Sequence, residues 1–199
     1  MGILDVFKAV SPSNIKRLTN ARLSDLVERE AVRAKKTLDD LSQRYPSAGP
    51  RELGQRLIDQ KKSFASVVGG VSGVFGMLSV PPDLIVMTYL QIQLLTEVAT
   101  LYKVNLKSEQ KRTELLDVFG YANGIGPVQR ASPKVLGGLA GMVLTRFGRE
   151  WLGRAVPLAA APISAWLNNQ HIQAVGEHAV RHYDGFDKAH EKTQRASGA

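Results

Sequence analysis

KKSFASVVGGVSGVFGMLSVPPDLIVMTYLQIQLLTEVATLY, residues 61–102, is the stretch whose reading decides the fold. No charged residue lies between Lys62 and Asp83, and Gly69, Gly70, Gly73 and Gly76 fall inside that interval. Wound as a helix at about 100° per residue, residues 64–78 place Ala65, Gly69, Ser72, Gly73 and Gly76 on one stripe. Phe64, Val67, Val68, Val71, Val74, Phe75 and Leu78 take the opposite one. Neither stripe is charged, so such a helix is buried on all sides or lies in lipid. Pro81-Pro82 is expected to end it, with a second apolar helix starting near Asp83. The pair, near 55–79 and 83–102, is expected at the centre of the fold. In the second arm Gln93, Thr96, Glu97 and Thr100 share one face, and Leu84, Leu94, Leu95, Val98 and Leu101 the other. Gln91 intrudes on the apolar side, where it needs a hydrogen-bond partner.

Working outward towards the N-terminus, Tyr45 to Pro50 reads as a loop, with Pro50 suited to the first turn of the next helix. Before it, Ile15, Leu18, Leu26, Ala34, Leu38 and Leu41 predict a long helix over about 14–44. Ser11-Pro12-Ser13 separates that helix from a short amphipathic one at 2–10, with Ile3, Phe7 and Val10 on one side. Towards the C-terminus, Ser108 is a candidate cap for a helix to about Phe119, and residues 121–133 are rich in turn formers. A small-residue helix is expected over 134–147, and a last main helix from Pro157 to about Tyr183, with Pro162 as its kink or its true start. No stretch alternates like a strand. The expected fold is all-α: a single helical bundle domain around the glycine-rich hairpin. Residues 1–45 supply N-terminal amphipathic helices, 46–186 the main helical domain, and 187–199 a polar tail.

The 199 residues are 44% hydrophobic and 22% charged, enough for one sizeable core. Cysteine is absent, which excludes disulfides and thiol chemistry and leaves His and carboxylates as metal ligands. No secretory leader or myristoylation signal is expected from MGILDVFKAV. The formal net charge is +8, which favours acidic partners. Residues 46–102 carry four basic and four acidic side chains, residues 1–45 nine and six, and residues 103–199 thirteen and eight. The surplus therefore flanks the apolar hairpin, a distribution suited to an anionic membrane surface rather than a nucleic-acid groove.

Three stretches resemble the EcsC family of bacterial proteins. They are the polar-to-glycine helix ending in VPPD (Val80–Asp83), the following LIVMTYLQIQLLTEVATLY, and the late PLAAAPISAWLNNQHIQAVGEHAVRHY (Pro157–Tyr183). The resemblance spans roughly residues 50–185 and leaves 1–45 outside it. The family pattern has Gly after its first Tyr, whereas Lys103 follows Tyr102 here. Members are named for a protein encoded beside an ATP-binding-cassette transporter. The resemblance implies a helical, membrane-related accessory protein and assigns no active site.

Gly69-x-x-x-Gly73 and Gly137-x-x-x-Gly141, with Gly76, are the candidate helix-packing positions, because small residues four apart let helix backbones approach closely, in lipid or in a soluble core. GGVSG at 69–73 is not a phosphate loop: it lacks the glycine spacing, the Lys-Ser/Thr partner and a preceding strand. Asp83 caps the second arm or serves as a functional carboxylate between apolar helices. His171, His178 and His182 fall on one side of the last helix and form either the boundary of a core face or a metal site. Glu177 lies outside the His178–His182 pair, so the sequence is not a His-Glu-x-x-His motif. Trp151 and Trp166 are core or core-edge residues, or interfacial anchors. The expected protein is non-enzymatic and has no cofactor. It sits in the cytoplasm, peripherally attached to the inner face of the cell membrane through an anionic surface or a membrane complex, with Ile3, Phe7 and Val10 as contact candidates. The alternative is a soluble module enclosing a small apolar ligand such as an acyl chain.

Overall fold

The computed structural model describes residues 20–75, 80–124, 126–127 and 157–197. Side-chain surroundings are described for 24–67, 86–124, 126–127, 166, 168–186 and 188. Five helices and no strand occur among the described residues: α1 (Asn20–Arg44), α2 (Pro50–Phe75), α3 (Val80–Leu101), α4 (Glu109–Ala122) and α5 (Pro157–Ser197). The architecture is all-α. The expected N-terminal contact residues Ile3, Phe7 and Val10 lie outside the described residues, as do Gly76, Gly137, Gly141 and Trp151.

α1 buries Val27, Glu30 and Ala34 and lays Leu26, Ala31, Leu38 and Leu41 against the core. These positions recur at helical spacing, so one stripe of an otherwise charged helix supplies the contact. The chain then turns at Tyr45–Gly49, where Ala48 N donates to Tyr45 O (3.1 Å). The Arg56 guanidinium lies 3.6 Å from the Tyr45 ring centroid and ties the loop to α2. α2 opens on Pro50, as its fixed φ favours.

α3 is the central helix and packs on α1, α2, α4 and α5. Ile92, Leu94, Leu95 and Val98 are completely buried, and each such side chain contributes about 1.5–3 kcal/mol by leaving water. Two sequence expectations about α3 need correction. Pro81-Pro82 does not merely end the preceding helix; it lies in the first turn of α3, which starts at Val80. Proline is tolerated there because first-turn N–H groups have no intrahelical acceptor. Asp83 is therefore inside the helix rather than the residue before it, and its side chain lies outside the described surroundings. Nor does the polar face of α3 differ in burial from its apolar one at this level: Thr96 and Glu97 are as buried as the leucines opposite them.

α3 ends in a Schellman motif. Val104 N donates to Ala99 O (3.0 Å) and Lys103 N to Thr100 O (3.0 Å), which leaves Lys103 in the left-handed region at φ 58. Glycine is favoured at such a position, and that is a physical reason for the family's Gly after the first Tyr. Ser108 occupies the N-cap of α4 but makes no side-chain cap hydrogen bond. α4 runs three residues past its expected end and closes on Asn123 and on Gly124 at φ 73. α5 also outruns its expectation. Pro162 lies within a helix that begins at Pro157, and the segment expected as a polar tail is helical through Ser197.

α2 and α5 pack antiparallel in an interlocked pair. A methyl group at Gly176 would collide with Ile58, and one at Gly54 would come within 2.9 Å of Val180 Cγ2. Gly54 and Ile58 are four apart on α2, as are Gly176 and Val180 on α5, so each helix presents one notch and one knob to the other. Close packing thus falls on Gly54 and Gly176 in the described region. Gly69 and Gly73 lie within α2, but their surroundings are outside the described residues.

Candidate functional site

Only two residues of α3 are charged, Asp83 and Glu97. Glu97 is 2% exposed, and Lys61 Nζ on α2 donates to its Oε1 at 2.8 Å from a residue itself 8% exposed. Burial pushes the Glu97 carboxyl up, Lys61 pulls it down, and the nearby charge of Glu30 pushes it up again, so that it stands above the ordinary carboxylate value. Burying this ion pair costs desolvation of both charges, and the attraction offsets it only while both partners remain.

Glu30 of α1 forms a second buried group. Tyr89 Oη donates to Glu30 Oε1 at 2.8 Å, and Arg33 Nη1 reaches the same oxygen at 2.7 Å and Tyr89 Oη at 3.2 Å. Burial and the Glu30 carboxylate both hold the Tyr89 phenol well above its usual range. Glu30 in turn raises the already positive Arg33. Glu30 Oε2 and Glu97 Oε2 have no hydrogen-bond partner among the described residues. On the α5 side, Lys62 Nζ donates to Gln173 Oε1 (2.7 Å), and Gln173 Nε2 donates to Glu177 Oε1 (2.8 Å). Lys61, Lys62, Glu97 and Glu177 therefore form an ionic layer across α2, α3 and α5.

That layer divides the helices. Ser63–Phe75 of α2, Leu84–Thr96 of α3 and Pro157–Gly176 of α5 carry no Asp, Glu, Lys or Arg. The antiparallel pairings Ile58–Gly176 and Lys62–Gln173, with the contact Lys61–Glu97, put all three runs on the same side of the layer. These runs meet neutral polar groups as well as the Glu30–Arg33 pair at Tyr89. Asn123 Nδ2 donates to Gln91 Oε1 (3.0 Å), supplying the partner that Gln91 requires, and Asn123 Oδ1 meets His171 Nε2 at 3.0 Å. Val67 and Trp166 lie in these runs at 56% and 58% exposure. Trp166 is thus not a core residue.

The histidines line the seam between α5 and α4. His171 meets Asn123, and His182 Nε2 lies 3.3 Å from Glu114 Oε1. Burial raises the Glu114 carboxyl, but Lys111 and His182 together outweigh it and hold Glu114 below the ordinary value. Burial, with Arg181 and His182 nearby, lowers His178. No group of three or more metal-binding side chains occurs among the described residues, so the sequence-level metal reading of His171, His178 and His182 gains no further ligand there.

Sequence reading missed Lys61, Glu30 and Tyr89 and placed Glu97 on the polar face of an amphipathic helix. The available signal was Glu97 itself, a lone acid in the middle of an apolar helix, which requires a basic partner if buried. At the opposite end, an open groove of about 690 Å³ is lined by Arg51, Glu52, Glu177 and Arg181 among others. Its charges suit water rather than an acyl chain.

A family model described as the EcsC protein family matches residues 5–133. No curated protein and no solved structure matches the chain. The matched span takes in most of residues 1–45, which the sequence resemblance left out, and stops before α5, to which that resemblance extended. It contains Glu30, Lys61, Tyr89 and Glu97 and covers well over half of the sequence: the chain belongs to the EcsC family.

Proposed function

We propose that this protein is a non-enzymatic accessory protein that binds reversibly to the anionic inner face of the cell membrane, alone or beside a membrane complex such as a transporter. The observation that carries the reading is the distribution of charge within α2, α3 and α5, each of which holds a long run without Asp, Glu, Lys or Arg on one side of the Lys61–Glu97 layer. A water-soluble helix normally keeps a polar face along its whole length. No helix among the described residues is long and apolar enough to cross a membrane, which fits attachment rather than a span. The formal charge of +8 adds attraction to anionic lipid, worth about 1 kcal/mol per basic residue near the surface and decaying within a Debye length of about 8 Å. Flotation with liposomes of varied anionic content tests the reading. The protein floats at low salt, and high salt releases it. Absence of flotation at low salt refutes it and favours the enclosed-ligand alternative, for which native mass spectrometry would show co-purified lipid.

A further inference from the structure

Two buried glutamates each leave one oxygen unpaired. Glu30 of α1 and Glu97 of α3 are both 2% exposed. Their Oε1 atoms are satisfied, Glu30 by Tyr89 and Arg33 and Glu97 by Lys61. Their Oε2 atoms have no hydrogen-bond partner among the described residues. We infer that Glu30 and Glu97 form a buried proton-binding pair: one proton is held between their Oε2 atoms, and its presence latches α1 onto α3.

The hydrogen-bond accounting requires a donor. An ionised carboxylate only accepts, so two of them cannot satisfy each other, whereas a protonated one gains an O–H. That single O–H serves both orphan atoms, reaching the other carboxyl directly or across one enclosed water. The neighbouring hydroxyls are already spent. Thr96 Oγ1 donates to Ile92 O and Thr100 Oγ1 to Thr96 O, both at 2.7 Å, and Tyr89 Oη donates to Glu30 Oε1.

The charges point the same way. The enclosed groups are two carboxylates and one ammonium, that of Lys61, while the Arg33 side chain is 56% exposed at the rim. One proton leaves a single negative charge on the pair to face Lys61, and a further buried charge would be costly. The two carboxyls also act on each other: burial raises Glu97, Lys61 lowers it, and the Glu30 charge raises it further. Charged groups on the other helices packed against α3 turn elsewhere. Lys62 of α2 meets Gln173, and Glu177 of α5 accepts from Gln173 and Arg181. On α4, Arg112 meets Ser24 and Glu28, and Lys111 and His182 share Glu114.

Losing the proton puts two negative charges beside one ammonium, and their repulsion acts directly between α1 and α3. The folded pair keeps its proton at pH values where the unfolded chain has released it. The latch is therefore present at lower pH and is lost as pH rises through the folded value.

Nuclear magnetic resonance of the full chain, isotope-labelled at the glutamate carboxyl carbons and assigned through bonds to the backbone, reads the pair directly. Glu30 and Glu97 show one common titration step, at higher pH than the exposed Glu109. In Glu30→Gln the Glu97 step moves to lower pH, and in Glu97→Gln the Glu30 step does. Through the common step, amide-exchange protection of α1, corrected for the intrinsic rate, falls several-fold more than that of α4. Neither Gln variant shows this fall. Separate steps, steps coincident with that of Glu109, or a Glu97 step unmoved by Glu30→Gln overturns the shared proton. Protection of α1 that stays level through the step overturns the latch. The titration and the exchange of the native chain need no variant, so both tests stand even where a Gln variant fails to fold.

Discussion

Replacing Gly176 by alanine tests the α2–α5 interlock, because everything said of the ionic layer depends on the register it sets. The added methyl has no space: it would collide with Ile58 and lie 3.0 Å from Leu94 Cδ2. Ile58 is 1% exposed and Leu94 fully buried, so neither can swing into solvent. Overpacking of this kind costs about 1–3 kcal/mol, and the contact at Gly176 lies at the severe end of that range. Alanine also gains about 1 kcal/mol over glycine in a helix interior. The net expectation is a loss of about 2 kcal/mol, which for a chain of this size lowers Tm by about 4–8 °C. Urea unfolding followed by circular dichroism, with unchanged m, measures it. Ile58→Ala alone opens a cavity and costs about 2–5 kcal/mol. Combined with Gly176→Ala it loses less than the sum by about 1–2 kcal/mol, since the new methyl occupies part of the cavity. Gly176→Ala with unchanged or raised stability, or a strictly additive double variant, refutes the close contact and the register drawn from it.

The ion pair supplies a second expectation: Lys61→Met or Glu97→Leu alone costs about 3–5 kcal/mol, while the pair together is near neutral or stabilising, as chemical denaturation of the three variants would show. Burial raises Glu97 above its ordinary value of 4.5, so the folded state keeps that proton at pH values where the unfolded chain has released it. Relative to the double variant, the native chain therefore gains stability as pH falls towards 4.5 and loses it as pH rises through the raised folded value. Glu114 acts in the opposite sense: its lowered value contributes stability above 4.5 that is lost at more acid pH, and Glu114→Gln removes that loss from a stability–pH profile. Lys103→Gly relieves the left-handed backbone at the end of α3 and raises stability by about 0.5–1 kcal/mol, the gain left after glycine's extra unfolded-state entropy, measured by the same unfolding assay.

Much of the helical frame is legible in residues 45–102, because Pro50 and the uncharged run each admit few structures. Gln91 was also legible: an amide on an apolar face needs a partner, and Asn123 provides it. The ionic layer was not. On a helical wheel Glu97 joins Gln93, Thr96 and Thr100 as an ordinary wet face, and only the arrival of Lys61 and Glu30 from elsewhere in the sequence makes that face dry. The packing glycines Gly54 and Gly176 were missed for a related reason. Gly69 and Gly73 advertise themselves by density, whereas Gly54 and Gly176 are isolated residues whose role depends on a partner more than a hundred positions away. Pro81-Pro82 read as a stop because proline ends one helix and opens the next with the same chemistry.

Fractionation of the native protein from its own cells tests the membrane reading most directly. The account predicts that the protein sediments with membranes at low salt and is released by a high-salt wash, before any alkaline treatment. Recovery in the soluble fraction at low salt, or retention through both the salt and the alkaline wash, contradicts it.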